Sequence, residues 1–196
     1  MDGVFRVKAL RVIIAEDEPV TRKDLREMLA EAKIKTIGEC GDGQTAVELA
    51  RKLKPDLILM DIKMPGMNGI EAAKLLNQEK IAPVMLLTAY SQKQLVEEAR
   101  EAGVLAYLVK PINKQNLIPA CYIAVSRYEE FSLLAQEVDT LNEALQSRKQ
   151  IEKAKGILQQ HYNLDEESAF KKIRTMSMDQ RKTMKEIAEA IIIAMG

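Results

Sequence analysis

The stretch Leu57-Ile58-Leu59-Met60-Asp61-Ile62-Lys63-Met64-Pro65-Gly66-Met67-Asn68-Gly69 decides the reading of the chain. Four consecutive apolar residues run into one carboxylate, and a Pro-Gly and Asn-Gly turn follows before the helical spacing of Gly69 to Glu79 begins. A run that is apolar without alternation suits a strand buried on both faces, as in a parallel sheet covered by helices. Val12-Ile13-Ile14 and Val84-Met85-Leu86-Leu87 have the same character. Outward from there the alternation repeats. Val7 to Ala15 leads through the polar turn Glu16-Asp17-Glu18-Pro19 into a helix spaced by Leu25, Met28, Leu29 and Ala32. Thr36 to Cys40 leads into Gly43 to Leu53, Val84 to Leu87 into Gln92 to Ala102, and Ala106 to Val109 into Asn116 to Arg127. Five strand-helix units in succession predict an α/β fold, a doubly wound five-stranded parallel sheet.

The whole chain has 196 residues, more than one domain of roughly 150 and too many for a domain with a tail. A composition of 47% hydrophobic and 30% charged residues excludes a disordered protein. Lys and Arg (29) balance Asp and Glu (29), so no net charge draws the whole molecule to nucleic acid or membrane. Cys40 and Cys121 form neither a metal-ligand spacing nor a disulfide framework, which suits a reducing cytoplasm. The start of the chain, charged at Asp2, Arg6, Lys8 and Arg11, lacks a signal-peptide core. No apolar run nears the ~18 residues of a membrane span. A soluble cytoplasmic protein is expected. With no Trp and 4% aromatic residues, base-stacking platforms are not expected.

After Arg127 the pattern changes. Phe131, Leu134, Val138, Leu141 and Leu145 step by three and four on an otherwise polar surface, predicting an amphipathic linker helix over 125–147. Such a stripe is buried either against a partner helix or on its own domain; the heptad pattern favours pairing. From 148 on, three helices are predicted: one through Ile151, Ala154, Ile157 and Leu158 to Tyr162, and one after Asn163 carrying Ala169, Phe170 and Ile173. The third opens at Ser177, with Gln180 at the capping-box position.

Sites in doubly wound sheets form beyond the carboxyl ends of the strands. There stand Glu16 and Asp17 after the first strand, Asp61 at the end of the third, Thr88 of the fourth and Lys110 of the fifth. Three converging carboxylates repel unless a hard divalent cation holds them, which predicts Mg²⁺ with room left for a phosphoryl group. Lys110 would neutralise phosphoryl oxygens and the Thr88 hydroxyl would donate to one. Asp61 is the candidate nucleophile, on the most central strand with an open turn after it. Singly, each residue has a plainer reading as helix cap, turn cap, strand filler or surface ion pair; jointly they do not. Lys63 and Lys114 read as solvated side chains and His161 as structural.

These residues, with Tyr107 and the Lys110-Pro111 pair, resemble the receiver domain of two-component response regulators over residues 1–124. The resemblance implies a flavodoxin-like sheet of order 2-1-3-4-5 and Asp61 as phosphoacceptor from a sensor histidine kinase. It also implies Mg²⁺ on Glu16, Asp17, Asp61 and the Lys63 backbone carbonyl, Thr88 and Tyr107 as the switch pair, and a cis Lys110-Pro111 peptide. Asn68 stands where many receivers have Asp.

Residues 148–196 carry ten basic side chains against seven acidic ones, whereas the linker is acidic. Arg148, Ile151, Ala154-Lys155-Gly156, Leu158, Ala169-Phe170, Ile173-Arg174, Ser177-Met178, Arg181 and Ile187-Ala188 resemble the ANTAR domain, a three-helix RNA-binding module of antiterminators. That resemblance implies binding of paired hairpins in leader transcripts, and Lys155, Gly156, Arg174, Ser177, Met178 and Arg181 are the candidate RNA-face residues. Arg174, Arg181 and Lys182 are expected around a sharp turn at Thr175 to Ser177. The combined expectation is a regulatory protein, not an enzyme, that dimerises when phosphorylated. A DNA-binding regulator and a receiver with a protein-binding tail are the competing readings.

Overall fold

The computed structural model describes residues 9–89 and 93–195. Val7 and Lys8, expected in the first strand, and Gln92, expected to open the fourth helix, lie outside the described residues. In chain order the elements are β1 (Arg11–Ala15), α1 (Pro19–Glu31), β2 (Lys35–Cys40), α2 (Gly43–Leu53), β3 (Leu57–Asp61), α3 (Gly69–Gln78), β4 (Val84–Thr88), α4 (Lys93–Glu101), β5 (Ala106–Val109), α5 (Lys114–Tyr162), α6 (Glu166–Gln180) and α7 (Met184–Met195).

The five strands form one sheet in the order β2-β1-β3-β4-β5, and every neighbouring pair is parallel. Alternate side chains of β1, β3 and β4 enter two cores. Ile13, Ile58, Met60 and Leu86 face one, with Ala46, Ala72 and Leu76 from α2 and α3. Val12, Ile14, Leu57, Leu59, Met85 and Leu87 face the other, with Leu25, Leu29, Leu117 and Cys121 from α1 and α5. Each fully buried aliphatic side chain contributes about 1.5–3 kcal/mol, which explains why Val12 to Ala15, Leu57 to Met60 and Val84 to Leu87 are apolar at every position. The edge strands β2 and β5 are only partly buried.

The chain divides into two compact units, Met1–Phe131 and Ser132–Gly196. Helix α5 is 49 residues long and runs through Pro119 without ending, although proline removes one backbone donor. Leu117, Cys121 and Ala124, all fully buried, hold it to the sheet on both sides of that point.

The second unit packs Ala154, Leu158, Ala169, Ile173, Ile187, Ala188 and Ile191 into its own core. Three expectations fail in this region. Ser177 does not open the third helix: it lies inside α6, and its hydroxyl donates to the Lys182 carbonyl at 2.5 Å. The helix continues because Asp165 caps its start and Ile173 and Met176 hold its inner face to the core. It ends where Arg181 turns left-handed at φ 52°, so the sharp turn falls at 181–183 and not at Thr175 to Ser177. Helix α7 is opened by Thr183, whose hydroxyl accepts from the Glu186 N–H while Glu186 accepts from the Thr183 N–H at 2.7 Å. Phe170, expected beside Ala169 and Ile173, is instead exposed.

Candidate functional site

The parallel sheet brings the carboxyl ends of β1, β3, β4 and β5 to one edge. Glu16 continues β1, and its N–H donates to the Cys40 carbonyl of β2 at 3.0 Å. Its own carbonyl accepts from the Arg22 guanidinium of α1, so both sides of this residue are fixed. Sequence reasoning passed over Arg22; its only sequence signal is a basic residue just after the acidic turn. Pro19 occupies the first helical turn of α1, where a missing N–H costs nothing.

Asp61 closes β3 opposite Leu87 of β4. The turn after it folds back so closely that a Cβ on Gly69 would lie 2.1 Å from the Asp61 carbonyl oxygen; only glycine permits that approach. The Gly69 N–H donates to the Ile62 carbonyl at 2.9 Å. Asn68, the departure noted in the sequence, caps α3 by accepting from the Ile70 and Glu71 N–H groups at 2.9 Å. Asp61 Oδ2 accepts from the Lys63 N–H at 2.9 Å.

One oxygen from each of Glu16, Asp17 and Asp61 lies within 4.8 Å of the others, with Glu16 and Asp61 buried and Asp17 exposed. The Lys110 ammonium stands between Glu16 Oε2 and Asp61 Oδ1 at 2.8 Å from each. Its own N–H donates to the Thr88 carbonyl at 2.7 Å, tying the end of β4 to the residue after β5. The Lys110-Pro111 peptide is cis. Thr88 is buried, and Tyr107 on β5 is half exposed.

Electrostatics set the chemistry of this pocket. Burial, then repulsion from Asp61, pushes the Glu16 carboxyl above its ordinary value against the pull of Lys110. Burial opposes the charge on Lys110, but hydrogen bonds to Asp61 and Glu16 outweigh it and raise the lysine. The pocket thus holds an excess of negative charge with one ammonium as a stand-in cation. An all-oxygen donor set of this kind, partly open at Asp17, fits a hard divalent ion that keeps some of its water.

In the second unit the predicted residues separate. Arg174, Met178 and Arg181 are exposed, and Lys171, not singled out in the sequence, lies on the same side of α6. Gly156 has open space where its Cβ would be. Ser177 is partly buried at the helix end. Lys155 is buried, with its ammonium 2.9 Å from Glu152 and 2.7 Å from Glu166. Lys114, read as solvated, pairs at the surface with Glu31 at 2.7 Å.

Residues 12–122 match the response regulator receiver domain family, and residues 139–192 match the ANTAR domain family. Transcriptional regulatory protein PdtaR of Mycobacterium tuberculosis is 52% identical over 186 residues, covering 95% of this chain and 91% of that protein. Chemotaxis protein CheY of Thermotoga maritima is 36% identical over 111 residues, covering 56% of this chain and 92% of its own. The solved response regulator domain of Thermotoga maritima CheB superposes with a TM-score of 0.57 at 30% identity, covering 61% of this chain and 98% of that one.

Proposed function

Because this chain belongs to the two-component response regulators that join a receiver domain to an ANTAR domain, we propose that it is a phosphorylation-controlled RNA-binding antiterminator. Receiver domains bind Mg²⁺ at an acidic pocket, here the cluster of Glu16, Asp17 and Asp61. Residues 1–124 act as receiver, 125–147 as pairing helix and 148–196 as RNA module. The receiver match ending at 122 supports the first boundary, while the ANTAR match beginning at 139 and the division of the compact units after Phe131 both fall inside the pairing helix.

A sensor histidine kinase in the cytoplasm supplies the phosphoryl group. The Asp61 carboxylate attacks phosphorus, forming an acyl phosphate as the bond to the kinase histidine nitrogen breaks and its electron pair leaves with the imidazole. Bound on Glu16, Asp17, Asp61 and the Lys63 carbonyl, Mg²⁺ would neutralise charge on the phosphoryl oxygens. Lys110, already at 2.8 Å from Asp61, holds a phosphoryl oxygen once the group is in place. The modification adds about two negative charges, which draws the Thr88 hydroxyl toward it. Tyr107, half exposed before phosphorylation, follows into the space that Thr88 leaves.

The output is pairing. Phe131, Leu134, Val138, Leu141 and Leu145 are each at least half exposed along α5. Five apolar side chains at heptad spacing find burial against the same stripe of a second copy. Two RNA modules then meet two hairpins, and linkage raises affinity by effective concentration. Moving from about 1% to about 99% active takes about 5.5 kcal/mol, shared between phosphorylation and dimer formation.

The observation that carries this reading is the convergence of three carboxylates on Lys110 at one sheet edge. Treatment with a small-molecule phosphodonor and Mg²⁺, read by intact mass and sedimentation, tests it. One phosphoryl group on Asp61 and a dimer are expected, with both lost in Asp61→Ala. Labelling that persists in Asp61→Ala contradicts the reading.

A further inference from the structure

We infer that Lys155 is a positioning residue that clamps the start of α6 onto α5, and that it does not itself contact RNA. Its functional consequence rests on the RNA-binding reading above, whereas the clamp does not.

The Lys155 side chain is 8% exposed and follows Ala154, which is fully buried in the core of the second unit. A buried ammonium is costly unless it is paired and hydrogen-bonded. Both partners are present. Glu152, one turn earlier on α5, lies at 2.9 Å, and Glu166, the first residue of α6, at 2.7 Å. Hydrogen bonds donated to Glu166 and then to Glu152 raise the lysine above its ordinary value, and the bond from Lys155 lowers Glu166.

The bond to Glu166 spans the turn at 163–165, where Asn163 is left-handed at φ 50°. Two consecutive acids therefore divide the work at this turn. Asp165 fixes where α6 begins, accepting from the Ser168 N–H at 2.6 Å, while Glu166 fixes where that beginning lies against α5. In the Ala154-Lys155-Gly156 triplet the open surface belongs to Gly156, beyond whose Cα nothing lies within 4 Å.

The leverage is geometric. Helix α6 has 15 residues, hence a length of about 22 Å, and a tilt of about 10° at its start moves its far end by about 4 Å. Met178 and Arg181 lie at that end. Lys155 thereby sets the position of the exposed cations without touching what they bind.

The test uses the full chain and a synthetic RNA of two linked hairpins. Lys155→Met is expected to speed hydrogen exchange at the Ser168 and Ala169 amides and to weaken RNA binding about tenfold, with the slope of log affinity against log salt unchanged because no phosphate contact is lost. Arg174→Met is expected to flatten that slope by about one unit, with those amides unaffected. The reversed pair, Lys155→Glu with Glu166→Lys in a Glu152→Gln background that removes the like charge beside position 155, is expected to restore both readouts, and it decides the matter if Lys155→Met fails to fold. A flattened slope in Lys155→Met with unchanged amide exchange overturns the inference and makes Lys155 an RNA contact. If the wild-type chain binds no hairpin RNA, the antiterminator reading falls and exchange alone judges the clamp: faster exchange rescued by the reversed pair upholds it, and unchanged exchange overturns it.

Discussion

Lys110 in the receiver and Lys155 in the C-terminal unit are held alike, each ammonium lying between two carboxylate oxygens at 2.7–2.9 Å. Their partners differ. The side chains of Glu16 and Asp61 are 2% and 9% exposed, whereas those of Glu152 and Glu166 are 57% and 74% exposed. In the receiver the buried acids need a cation, and any suitable cation satisfies them, so the site can exchange one for another. In the C-terminal unit the lysine is the buried member, and the exposed acids answer its need. Similar distances therefore serve an exchangeable site in one region and a fixed joint in the other. Burial of the carboxylates, not the number of ion pairs, separates the two.

The largest effect is expected in α5, the helix shared by both regions. Val138→Glu with Leu141→Glu places like charges on the apolar stripe and removes about 3 kcal/mol of association free energy, roughly a hundredfold in the dimer constant of the phosphorylated chain. Sedimentation equilibrium measures it; an unchanged constant would mean that the stripe is buried elsewhere. Next comes the cation exchange itself. Lys110→Met removes the ammonium that competes for Glu16 and Asp61, so Mg²⁺ affinity should rise about tenfold, while Lys155→Met leaves it unchanged. Calorimetric titration of the unphosphorylated protein distinguishes the two lysines, and equal effects would erase the contrast. The smallest effect concerns helix starts. Thr183→Ala should cost about 1 kcal/mol as a lost cap, read in urea unfolding, and Ser177→Ala distinctly less.

The receiver was legible because its signals are local and redundant. Leu57 to Met60 and Val84 to Leu87 are apolar at every position since both faces of each strand are covered, and the site residues fall at strand ends, where topology alone brings them together. The C-terminal unit was less so. Ser177 with Gln180 and Thr183 with Glu186 are two capping patterns six residues apart, and local spacing does not choose between them. The choice is made by the inner face of Ile173 and Met176, which carries α6 past Ser177, and by the left-handed Arg181 that ends it. The partners of Lys155 are hidden in the sequence for a related reason. Glu152 three residues earlier was a visible signal, but Glu166 meets the lysine only once α6 folds back on α5. A motif position shows which residue is required, and the fold shows what it touches.

In this reading, charge at Asp61 controls RNA binding by residues 148–196. It is tested most directly by titrating a paired-hairpin RNA against the wild-type chain and Asp61→Ala, each with and without phosphodonor and Mg²⁺. Tighter binding is expected for the phosphorylated wild type alone, with Asp61→Ala indifferent to the donor. Equal affinity of the phosphorylated and unphosphorylated wild type would contradict it.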